Sequence, residues 1–116
     1  MITPHGSEQS LLSPEEQETV NRYRAMVARE LEQYCADSEL MSIKLMLKLE
    51  LIMLHSNLGA AIRNEYELWM PEHEVTSIWR AAVDKFPIDV HACDEHPCHP
   101  DNFSFSCIEL LWENLQ

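Results

Sequence analysis

Five potential metal ligands crowd one short stretch of the chain, His91-x-Cys93-x2-His96-x-Cys98-His99. Imidazole and thiolate are the groups zinc prefers, and a structural zinc site needs four of them in a tetrahedron. Asp94 and Glu95 add carboxylates suited to harder ions. The residue types fit, but the spacing does not: no Cys-x2-Cys or His-x3-His pair is present. A zinc-binding module or metalloenzyme is therefore the runner-up reading. The alternative is that the thiols pack as small apolar groups while the histidines cap helices or face water. Under the leading reading the protein needs no cofactor.

A second constellation sits at four-residue spacing, His55, Gly59, Arg63 and Glu67, which places all four on one face of a helix. A histidine, an arginine and a carboxylate could do acid–base work. No serine or cysteine stands at a nucleophile elbow, and no glycine-rich loop could cradle a phosphate. Polar groups that pin helix ends and loops are the simpler expectation, and we expect no enzyme.

These residues hang on a strongly patterned scaffold. From Leu40 to Trp69 the sequence reads LMSIKLMLKLELIMLHSNLGAAIRNEYELW. At 100° per residue Leu40, Ile43, Leu47, Leu51, Leu54 and Leu58 share one side, and Leu45, Met46, Leu49, Ile52 and Met53 cover most of the rest. A helix apolar all round is buried among others. Lys48 and Glu50 interrupt a run already shorter than the roughly 20 apolar residues of a membrane span. The expectation is a long buried helix running to about Glu67 or bending near Gly59. Its rival is an exposed apolar face that docks a partner or a second copy of the chain.

Around it, Ser13, Pro14 and Glu16 form a capping box with proline at the first helical position. Val20, Tyr23, Val27, Leu31 and Tyr34 follow as an apolar stripe. Asp37 or Ser38 can cap the central helix, and Pro71 interrupts the pattern after Trp69. Val75, Ile78, Trp79, Ala82 and Phe86 predict a third helix that stops before Pro87. Asp101 or Asn102 can cap a fourth, with Phe103, Cys107, Leu111 and Leu115 in line and Ile108 and Trp112 broadening the face. Two glycines leave little room for the tight turns of a β protein. The fold class is all-α: a single-domain four-helix bundle around a long buried central helix, over residues 13–116, behind a loose arm at 1–12.

Twenty acidic residues against eight basic ones give a formal charge of −12. That disfavours direct contact with nucleic acid, whose phosphates demand Lys and Arg, and with anionic membranes. It suits solubility or a protein partner with a basic surface. The N-terminus shows no signal peptide or lipidation motif, so the expected location is cytoplasmic. There Cys35, Cys93, Cys98 and Cys107 stay reduced.

The string His55-x2-Leu58-Gly59-x2-Ile62-Arg63-Asn64-x3-Leu68-Trp69, with His99-Pro100-Asp101-Asn102-x-Ser104, resembles a family of small helical bacterial and phage proteins with no assigned activity. That family pairs H-x-x-L-G-x-x-I-R-N-x-x-G-L-W with a later H-P-D-D-x-S opening the last helix. The similarity covers about residues 50–69 and 98–116. Glu67 stands where the pattern has glycine, Asn102 replaces the second aspartate, and the His/Cys loop lengthens the connection. The resemblance implies that the two motifs meet, with Arg63 and Asn64 bonding to Asp101 or the start of the last helix, and with His55, Gly59, Trp69 and His99 as structural companions.

The functional expectation is a small acidic protein that binds another protein. Its contact would be Glu65, Glu67, Glu72 and Glu74 around Trp69 and Met70, with aromatic and Met side chains as anchors. A target whose basic groove takes DNA or RNA would make it a phage-type, anti-CRISPR-like antagonist. An immunity or antitoxin role, analogous by class alone, and a homodimer seamed by the central helix are the further alternatives.

Overall fold

The computed structural model describes residues 12–85 and 95–116. The expected arm at 1–12 lies almost wholly outside the described residues, as do His91 and Cys93. The described part is all-α: α1 spans Pro14–Tyr34, α2 Asp37–Leu45, a 3₁₀ helix Lys48–Leu54, α3 Leu58–Glu65, α4 Thr76–Lys85 and α5 Pro100–Leu115. No helix among the described residues is long and apolar enough to cross a membrane.

α1 starts as its sequence dictates. The Ser13 hydroxyl accepts from the Glu16 N–H at 3.1 Å, Glu16 accepts from the Ser13 N–H at 2.9 Å, and Pro14 opens the helix. This satisfies two donors that a helix start leaves orphaned. Val20, Val27 and Leu31 are buried along its inner face, while Tyr34, expected in the same stripe, stands in solvent.

The expected central helix is not continuous. It is divided into α2, the 3₁₀ helix and α3, with extended backbone at Met46 and Leu47. Side chains of α5 take carbonyls at the break. The Trp112 indole donates to the Met46 oxygen at 2.9 Å, and the Gln116 amide donates to the Lys44 oxygen at 3.2 Å. Each restart is closed by a glutamate three residues on: Glu39 accepts from the Ala36 N–H at 2.8 Å and Glu50 from the Leu47 N–H at 2.7 Å.

The break rewrites the burial pattern. At three residues per turn, the 3₁₀ helix sends Leu51 and Leu54 inward and leaves Leu49 and Ile52 on other sides. Leu51 is fully buried and Ile43 is buried on α2, but Leu47 is 70% exposed and Leu49 91%. Leu45, Met41 and Met53 are exposed too. The long buried rod is thus corrected to a kinked segment with a thin inner edge and a broad apolar outer face.

The organising element is α5, which packs against α1, α2, the 3₁₀ helix and α3. Phe103, Cys107, Ile108 and Leu111 are fully buried at its inner face. They join Val27, Leu31, Leu51, Ile62, Leu68 and Val75 in one apolar cluster. Its start differs in one detail from expectation. His99, not Asp101 or Asn102, is the cap: its Nδ1 accepts from the Asp101 N–H at 3.1 Å, and Pro100 holds the first helical position.

Candidate functional site

Residues 66–75 link α3 to α4, and they begin with a tightly specified helix end. The Leu68 N–H donates to the Arg63 carbonyl at 3.0 Å and the Glu67 N–H to the Asn64 carbonyl at 3.3 Å. This is the Schellman arrangement, which needs a left-handed residue just past the helix. Glu67 fills that role with φ of 53°, the one non-glycine residue of positive φ among the described residues. Leu68, fully buried, then packs into the cluster that holds Ile62, the apolar contact that accompanies such caps. The position is the one where the resembling family pattern carries glycine.

Beyond the cap the chain frames a concavity of about 290 Å³, lined by Tyr23, Glu65, Tyr66, Glu67, Met70, Glu72 and His73. Its floor is aromatic and fixed. The Tyr66 hydroxyl donates to Glu30 on α1. Tyr23 meets His73 edge-on with ring centres 4.8 Å apart, and Tyr66 at 6.2 Å. Burial, reinforced by the Glu30 hydrogen bond and charge, pushes the Tyr66 phenol up. Burial, then Glu74 and Glu30, raise Tyr23. Both phenols therefore stay neutral donors. His73 Nδ1 accepts from the Val75 N–H at 3.0 Å, and desolvation lowers its pKa. The rim is acidic, with Glu65, Glu67 and Glu72 all exposed.

Not every residue of the expected contact is free for it. Glu74 pairs with Arg22 of α1 at 3.0 Å. Trp69 is 48% exposed and stands edge-on to His99 at 5.8 Å, and Trp79 meets the other side of the same imidazole at 4.7 Å. Met70 is exposed beside it.

The two family-like motifs meet through Arg63. Its guanidinium donates to Ser104 Oγ at 3.0 Å and to the His55 carbonyl at 3.3 Å, and its Nε lies 3.5 Å from Asp101. Three directions of bonding from one planar group are what arginine, and not lysine, can give. Gly59 leaves room for it: a Cβ there would stand 3.0 Å from an Arg63 nitrogen. Asn64 is exposed, and its backbone carbonyl accepts the Glu67 N–H of the helix end; the expected bond to Asp101 is carried by Arg63. The Arg63 bonds lock α3 to the start of α5.

The described half of the His/Cys segment is engaged locally. His96 Nδ1 accepts from the Cys98 N–H at 3.0 Å, and His99 Nδ1 is spent on the α5 cap. Burial pushes the Cys98 and Cys107 thiols up to about 12. Among the described residues no three His, Cys, Asp or Glu side chains converge on a metal position. His96 is fully buried, with its pKa lowered by desolvation, and its Nε2 has no hydrogen-bond partner among the described residues.

Sequence reasoning missed two features. One is the left-handed Glu67, which the glycine of the family pattern signals. The other is the aromatic floor, since Tyr23 lies on α1 and Tyr66 in the turn after α3, with no local pattern to join them. Comparison with family models, with curated proteins and with solved structures returned no match for this chain.

Proposed function

We propose that this protein acts by binding, without catalysis, and that the 65–72 turn receives a basic segment of another protein. The observation that carries the reading is Glu67. A side chain other than glycine in left-handed backbone costs about 1–2 kcal/mol, and such outliers persist where the conformation serves a purpose. Here the cost keeps a carboxylate on the lip of a concavity with two neutral tyrosines in its floor. Carboxylates beside aromatic faces suit a lysine or arginine side chain, through charge at the rim and cation–π attraction below. Trp69 and Met70 add an apolar anchor at the edge, and the −12 charge steers basic partners toward the molecule.

The test is affinity capture from the native host, with the wild-type chain and a Glu65→Gln/Glu67→Gln/Glu72→Gln variant as parallel baits. A basic protein held by the first bait and lost by the second is the expected result. Its affinity should fall at least tenfold between about 50 and 300 mM salt, as screening shortens the reach of exposed charges. A captured partner whose affinity ignores salt overturns charge-led docking.

A further inference from the structure

We propose that the outer face of residues 41–53 is the contact between two copies of this chain. Seven large apolar side chains stand exposed on or beside it: Tyr34, Met41, Leu45, Leu47, Leu49, Ile52 and Met53. Their summed exposed area is on the order of the ~800 Å² that each partner brings to a standard interface. The face is also held in place. Trp112 and Gln116 bind the backbone beneath it, and Lys48 lies 4.0 Å from Glu113, so these side chains are kept outward by fixed backbone. A 3₁₀ helix of seven residues is itself long for its kind.

Charge selects the occupant. Two bodies of −12 repel over most of their surfaces. Residues 41–53 hold two of the eight basic residues, Lys44 and Lys48, and one of the twenty acidic ones, Glu50. This is where a second copy can approach with least opposition, and where the basic partner suited to the acidic turn is least favoured. An apolar groove of about 440 Å³ lies along the same segment, its walls including Ile43, Met46, Leu54 and Leu58 together with Glu39. In a two-fold pairing each copy presents both protrusion and groove, and Lys44 or Lys48 of one can oppose Glu50 of the other.

The proposal stands apart from the acidic-turn reading, and sedimentation or light scattering tests it. At about 100 μM the wild-type chain should show twice the single-chain mass of 13.5 kDa. Leu49→Glu/Met53→Glu should weaken association at least tenfold and return the single-chain mass with unchanged helical circular dichroism, because both positions already face water. Trp69→Ala should leave the two-chain mass as it was. A single-chain mass for the wild type, or a two-chain mass that the double variant keeps, overturns the proposal. So does capture by this face of a different protein at one chain each.

Discussion

The stretch from Met41 to Met53 and helix α5 are both rich in large apolar residues, yet they meet opposite fates. Helix α5 buries Phe103, Cys107, Ile108 and Leu111 completely, while the other stretch fully buries Leu51 and turns Leu45, Leu47 and Leu49 to water. Apolar content therefore did not decide which element became the centre. Helix α5 keeps one unbroken α period, so its apolar residues stay in register along a single face. The other stretch changes geometry twice within thirteen residues, and each change rotates the apolar set away from the cluster. The lesson is that a helix apolar on all sides has no strong preference for which side goes in, and its neighbours' hydrogen bonds settle the matter.

Paired truncations sharpen this contrast most. Leu111→Ala should cost about 3 kcal/mol, as removal of a fully buried leucine generally does. Leu49→Ala, measured in dilute solution, should stay within about 0.5 kcal/mol. Urea unfolding compares the two directly, and equal losses would erase the distinction between the regions.

A smaller effect, of the opposite sign, is expected at the helix end between them. Glu67→Gly should relieve the left-handed strain and raise stability by about 0.5–1 kcal/mol, the gain being reduced by the greater freedom of glycine in the unfolded chain. The same change should weaken capture of a basic partner. A loss of stability would show that the Glu67 side chain contributes more to the fold than its backbone costs.

The subtlest difference concerns pH. Desolvation keeps His73 and His96 neutral in the folded protein, with pKa values below the ordinary 6.5. The unfolded chain then binds more protons below that pH. Their contribution is complete above about pH 7 and declines as pH falls through 6.5. The urea midpoint should drop between pH 7.5 and 5.5, and His96→Asn, which can still accept the Cys98 N–H, should show a smaller drop. An identical drop in the variant would remove His96 as a source.

Much of the helical content was legible. Ser13, Pro14 and Glu16 announced α1, and the four-residue steps from Phe103 to Leu111 announced the buried face of α5. The break at Met46–Leu47 was not, because its cause is remote: no local pattern says that Trp112, 66 residues away, will take the Met46 carbonyl. Glu39 and Glu50 did carry a signal, since a glutamate three residues past a start can close a cap even when the cap residue is alanine or leucine. For the site, the resemblance, and no local pattern, implied that Arg63 and Asn64 meet the start of α5, and Arg63 does reach Asp101 and Ser104. The concavity depends instead on how α1 lies against the turn, which spacing within either segment does not encode.

The indole of Trp112 sits across the joint between the most deeply packed helix and the most outward-facing segment, bonded to the Met46 carbonyl at 2.9 Å. Loosening of that joint would bring water to the ring and redden its ultraviolet emission. The molecule thus carries a native optical gauge at the seam where its two contrasting halves are fastened together.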